Sequence, residues 1–298
     1  MKVVDGSRNF LKTGKSSGAF ETSKVVILPI PYEHTVSFGG GTAKGPAAII
    51  KASHYVEFYD EETRKEVHTQ VGIATLPPIN FGKKKDKPAI DMIEKRVTEL
   101  LNQDKFVVSL GGEHTISAGT IAAHANKFPN LSVLHFDAHS DLRQEYQGNR
   151  YSHACVMARV CEFLNPHKLV QVGIRAQERP EAEFIIERGV QTFYAYQIRN
   201  GLLDQGSMKW DDRVVDALTD QVYISFDIDG LDPSIMPATG TPEPNGLLWD
   251  EVMRLLKKVG EKKTIVGFEV VEFAPIRILH HADLTAAKLV MKILNYAV

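Results

Sequence analysis

From about residue 24 to the C-terminus, short runs of β-branched and aliphatic residues alternate with longer stretches of helical period. This is the pattern of repeated βα units, and it leaves few architectures open. Strands are expected at 24–30, 70–75, 106–110, 131–136, 168–172, 190–193, 222–226 and 264–268. Most of these runs are continuously apolar rather than alternating, as in strands covered on both faces by helices. The helices between them are expected near 46–53, 89–102, 116–127, 153–164, 182–188, 211–218, 247–259 and 282–297. No internal repeat divides the chain. It reads as one α/β domain over 24–298, preceded by a polar, Gly/Ser-rich segment over 1–23.

Composition narrows the partners. Lys plus Arg number 35 against 37 Asp plus Glu, and the longest basic tract is Lys83-Lys84-Lys85. Nothing supplies the basic stripe that a nucleic acid backbone requires, so none is expected as a partner. No apolar run approaches the roughly 20 residues of a membrane span, and no secretory h-region follows the N-terminus. The two cysteines, Cys155 and Cys161, build neither a disulfide framework nor a zinc ribbon. A reducing cytoplasm is the expected compartment.

In open α/β sheets, ligands bind beyond the carboxyl ends of the strands. Three polar clusters sit there. The first, His135-Phe136-Asp137-Ala138-His139-Ser140-Asp141, ends a strand with an Asp-x-His-x-Asp triplet, whose i, i+2 and i+4 side chains share a face if extended. In the second, Phe226-Asp227-Ile228-Asp229, two carboxylates close another strand. The third, Gly111-Gly112-Glu113-His114-Thr115, turns sharply and offers His114. Each has a plainer reading: His114 as a helix start, Asp227 and Asp229 as turn or cap residues. Together, however, three strand ends of one sheet could converge six side chains, His114, Asp137, His139, Asp141, Asp227 and Asp229. That much buried negative charge demands cations. Four carboxylates with two imidazoles suit two divalent ions and favour Mn²⁺, with zinc, cobalt and nickel still compatible. Such a pair would generate a bridging hydroxide near neutral pH, so metal-assisted hydrolysis is the expected chemistry.

These three segments, with Ser225 and Gly230-Leu231-Asp232-Pro233 flanking the second, resemble the signatures of the ureohydrolase family, which comprises arginases, agmatinases and their relatives. Segments 39–46, 237–247 and 267–275 match as well. The resemblance implies a three-layer α/β/α fold with an eight-stranded, mostly parallel sheet and a dinuclear manganese centre. It assigns His114, Asp137, Asp141 and Asp227 to one ion and Asp137, His139, Asp227 and Asp229 to the other, with Asp137 and Asp227 bridging. The catalytic residues it implies are His153, Glu272 and Asp141.

Glu272 would face the planar, cationic guanidinium, and His153 would shuttle protons. Glu269, where relatives often carry Asp, is expected just outside the ligand shell. Gly39-Gly40-Gly41 lacks the endings of phosphate-binding loops and is read as a turn at the site mouth, with Thr42 and Lys44 near the entrance. Asp141-Leu142-Arg143 and Ser152-His153-Ala154 are similar to the agmatinase branch, which makes agmatine the expected substrate and putrescine and urea the products. Glu145 is a conceivable acceptor for the far amine. Arg143, counted as substrate-binding, would instead suit the carboxylate of 4-guanidinobutyrate. Arginine and formimino compounds complete the alternatives. Relatives form trimers and hexamers, so a homo-oligomer is expected.

Overall fold

The computed structural model describes residues 1–12 and 18–298. Eight strands form one sheet: β1 (Val25–Ile30), β2 (Ile73–Thr75), β3 (Phe106–Gly111), β4 (Leu131–Phe136), β5 (Leu169–Ile174), β6 (Gln191–Tyr194), β7 (Gln221–Asp227) and β8 (Thr264–Val271). Their order is β2-β1-β3-β8-β7-β4-β5-β6, and every pairing is parallel. All eight expected strands are present, and the "mostly parallel" sheet is wholly parallel.

Helices cover both faces, which is why the strands are apolar on successive residues. On one side α1 (Gly45–Ser53), α8 (Trp210–Ala217), α9 (Trp249–Lys262) and α10 (His280–Ala297) pack against Val25, Ile27, Leu134, Phe136, Ile224 and Phe226. On the other, α3 (Asp86–Leu101), α4 (Ser117–Lys127), α5 (Val156–Val160) and α6 (Arg179–Arg188) cover Val26, Leu28, Val107, Val133 and Tyr223. The alternation within the strands other than the edge strand β6 is thus between two cores, not between core and water.

Two elements differ from the sequence expectation. The second strand is short because α2 (Val67–Val71) occupies its first part. Gly72 then ends the helix at φ 62°, where a Cβ would press on the backbone of Ser23. The helix expected over 153–164 is a 3₁₀ turn, His153–Cys155, running into the short α5. A further short helix, α7 (Ala195–Arg199), follows β6.

The 1–23 segment is only partly polar in its setting, and residues 13–17 of it lie outside the described residues. Phe10, Leu11 and Phe20 are buried. The Phe10 and Leu11 N–H groups donate to Thr75 Oγ1 and Ser53 Oγ at 2.9 and 2.8 Å, and Asn9 Nδ2 donates to the Ile73 carbonyl. These contacts fasten the first twelve residues to β2 and α1. Among the described residues no helix is long and apolar enough to cross a membrane.

Candidate metal centre

The four central strands β3, β8, β7 and β4 deliver their carboxyl ends to one place. His114 follows β3, Glu272 follows β8, Asp227 ends β7 with Asp229 in the next turn, and Asp137, His139 and Asp141 follow β4. Gly112 makes the approach of β3 to β1 possible, since a Cβ there would lie 2.0 Å from the Tyr32 carbonyl oxygen. Asp141 and Glu272 sit at φ 53° and 60°, a left-handed conformation that costs a non-glycine residue about 1 kcal/mol or more. Such strain persists only where the surroundings hold it.

His114 Nδ1 lies 3.1 Å from Asp137 Oδ2, 3.1 Å from Asp141 Oδ2 and 3.2 Å from Asp227 Oδ2, yet makes no hydrogen bond of acceptable geometry. Three carboxylate oxygens therefore lie within 3.2 Å of one unpartnered imidazole nitrogen. Beside it, His139 Nδ1 lies 3.0 Å from Asp229 Oδ2 and 3.5 Å from Asp137 Oδ1. All six side chains expected as ligands are brought together, and all but the partly exposed His139 are buried.

The electrostatics of the protein alone are unfavourable. Burial, followed by the charges of Asp229 and Asp137, pushes the Asp227 carboxyl well above its usual range. Burial also opposes a charge on His139, but Asp229 and Asp137 outweigh it and push the ring up to about 12. Bound cations would relieve the repulsion among these carboxylates. An orphaned imidazole nitrogen among three carboxylate oxygens is a donor set that fits divalent metal, Asp137 and Asp227 lying between the two clusters.

A cavity of about 460 Å³ opens over this cluster. His139, Asp141, Asp227, Asp229 and Glu272 form its floor, and His153 and Arg143 line its wall. The His114 N–H donates to Glu272 Oε1 at 2.6 Å. Burial, then the neighbouring Glu113, holds the Glu272 carboxyl well above its ordinary value, a cost that an incoming cation would relieve.

Thr35 orients His153. Its hydroxyl donates to Glu113 Oε1 at 2.8 Å, so it can only accept from His153, from the backbone N–H at 3.0 Å and from Nδ1 at 3.1 Å. The neutral ring then carries its proton on Nδ1, and Nε2, 3.4 Å from Ser37 Oγ, faces the cavity as a proton acceptor.

Arg143 is not a free cation. It pairs with Glu178 and Glu181 and stacks on Tyr146 with its guanidinium carbon 4.7 Å from the ring centroid. Glu145, offered by the sequence as an amine acceptor, is exposed and absent from the cavity wall, because the 143–147 loop turns it outward. Gly39 lies at the mouth with its N–H on the Gly240 carbonyl, whereas Thr42 and Lys44 do not reach the cavity. Glu269 is fully buried under His114, not in contact with the cavity.

Sequence reasoning missed several contributors. Glu113 accepts the N–H groups of His34 and Thr35 at 2.5 and 2.7 Å and so pins the entrance loop to the floor. Its place inside the Gly-Gly-Glu-His motif was the available signal. Arg175, Glu181 and Glu243 also line the wall, brought there by loops that carry no spacing rule.

A sequence profile of the Arginase family matches residues 23–295. The chain belongs to the arginase family. An N(1)-aminopropylagmatine ureohydrolase of Thermus thermophilus is 38% identical over 93% of this chain and 91% of its own length. An agmatinase of Bacillus cereus is 35% identical over 94% of both chains. Among solved structures, the agmatine ureohydrolase of Thermoplasma volcanium superposes with a TM-score of 0.84 at 30% identity, over all of this chain and 94% of its own. This arginase-family protein is therefore a ureohydrolase, and its reaction is hydrolysis of a guanidino compound.

Proposed function

We propose that this ureohydrolase acts on a guanidino compound whose far end is an amine, agmatine first, releasing urea and putrescine. The pairing of the cavity's cations carries this reading. The two arginines on its wall are both engaged: Arg143 by Glu178 and Glu181, Arg175 by the carbonyls of Gly173, Asp229, Glu243 and Pro244. Neither is available for a substrate carboxylate, while Glu113 and Glu243, which pair with neither arginine side chain through their carboxylates, leave the space with excess negative charge. A dication is favoured there and a zwitterion is not.

His114, Asp137, His139, Asp141, Asp227 and Asp229 would hold two divalent ions, Mn²⁺ by the balance of oxygen and nitrogen donors. When bound, the ions supply a hydroxide nucleophile near neutral pH. The protein's own residues do the rest. Glu272, at the end of β8, meets the guanidinium and orients its plane over the floor. His153 Nε2 would take a proton from a water molecule in the cavity and pass it to the departing amine, with Thr35 and Glu113 fixing the ring behind it. His153→Asn is expected to lower kcat by roughly 10²- to 10⁴-fold while the bound metal stays constant. A variant with normal turnover would remove His153 from the mechanism.

An amine-terminated guanidine longer than agmatine is the second reading. It is favoured by the N(1)-aminopropylagmatine ureohydrolase of Thermus thermophilus, at 38% identity, and by a mouth whose Phe38 is 84% exposed. Urea release from agmatine, N(1)-aminopropylagmatine, arginine and 4-guanidinobutyrate separates these, with a chelated control. Amine-terminated substrates are expected to lead. Preference for 4-guanidinobutyrate would overturn the charge argument.

A further inference from the structure

A row of buried polar residues crosses the sheet immediately beneath the metal cluster. Strand register aligns Ser109, Glu269, Ser225, His135, Gln171 and Thr192 as successive cross-strand partners over six strands. All but Thr192 are fully buried. A polar row through the middle of an apolar sheet is costly unless each group is satisfied and has a task.

The left half of the row serves His114: its Nε2 lies 3.0 Å from Ser225 Oγ, which donates to Glu269 Oε1 at 2.8 Å. The right half serves Asp137. Gln171 Nε2 donates to the Ser140 carbonyl at 2.8 Å, and Gln171 Oε1 accepts from Thr192 Oγ1 at 3.2 Å, which fixes the orientation of the amide. The same Nε2 lies 3.0 Å from His135 Nδ1 and donates to it. Nδ1 is therefore an acceptor, the ring proton sits on Nε2, and Nε2 donates to Asp137 Oδ2 at 2.8 Å. Asp137 Oδ1 accepts the His139 N–H at 2.6 Å. Each carboxylate oxygen is thus held by one donor and keeps a lone pair for a cation, the condition a bridging carboxylate must meet.

We propose that His135 is a positioning residue for the metal centre, its tautomer set by Gln171 so that it donates to Asp137 rather than ligating an ion. Its nitrogens lie close enough to His114 and Asp137 to form a three-residue metal cluster, so ligation is the rival assignment. The locked tautomer decides against it, because Nε2 has no lone pair to give.

The inference rests on the reading of Asp137 as a metal ligand, and Mn²⁺ binding to the full-length chain tests both. Free manganese is counted by electron paramagnetic resonance during titration of the metal-depleted protein, and the melting temperature of each metal-free variant is recorded. His135→Phe fills the space without a donor and is expected to bind Mn²⁺ about 10- to 100-fold more weakly than the native chain, with the stoichiometry unchanged. His135→Gln places an amide N–H toward Asp137 and is expected to recover most of that loss. Should His135→Phe fail to fold, His135→Gln must still bind more tightly than the shorter His135→Asn.

Unchanged affinity in His135→Phe overturns the proposal, and so does a Gln variant no better than Asn. Loss of one whole ion from every variant makes His135 a ligand instead. A native chain that takes up no manganese removes the metal-centre reading itself, and this inference with it.

Discussion

Asp227→Ala is expected to release both metal ions at once and to lower urea formation by far more than the 10- to 100-fold attached to residues outside the ligand shell. The reason is position. Asp227 closes β7 beside β4, its Oδ2 lies 3.2 Å from His114 Nδ1, and its Oδ1 accepts the Asp229 N–H at 2.9 Å. It therefore touches the cluster around His114 and the turn that carries Asp229. A ligand private to one ion, such as His139, is expected to cost mainly that ion, leaving a chain with one metal. Metal counted per chain after gel filtration distinguishes the two cases. Asp137→Ala is expected to behave like Asp227→Ala. If either alanine variant retains two ions and normal turnover, the shared position assigned to these two carboxylates is wrong.

The fold was legible because every strand but the edge strand β6 is largely buried on both faces. Val25-Val26-Ile27-Leu28 is a continuous apolar run, and both of its faces are in fact covered, Val25 and Ile27 by one helical layer and Val26 and Leu28 by the other. The cluster was legible because its carboxylates and histidines follow apolar strand runs at close spacing; the strand count itself stops at Phe136 and Asp227, and turns carry Asp229, His139 and Asp141 to the same place. His135 lies inside β4, two residues before Asp137, but a histidine inside a strand reads as core. Its role appears only when Gln171 from the neighbouring strand is seen beside it. Arg143 shows the opposite limit. Its sequence position suggested a free cation, and only the fold brings Glu178, the N-cap of α6, and Glu181 in its first turn to neutralise it. Contacts between distant segments have no periodicity to count.

Glu272→Gln is the second substitution with a large expected effect, and it separates binding charge from shape. The carboxylate is buried, with one oxygen taking the His114 N–H at 2.6 Å and a backbone held at φ 60°. Glutamine keeps the volume and can accept the same hydrogen bond, so the metal cluster beside it should survive. What disappears is the negative charge opposite the guanidinium. Removing one partner of a buried charge pair costs about 3–5 kcal/mol, which corresponds to a loss of about 10²- to 10³-fold or more in kcat/KM. The guanidinium is present in the ground state as well as the transition state, so much of the loss should fall on KM. Equal metal content in the native and Glu272→Gln chains, together with a raised KM for agmatine, is the expected result. A variant that instead loses metal would place Glu272 among the supports of His114, through their hydrogen bond, and not at the substrate.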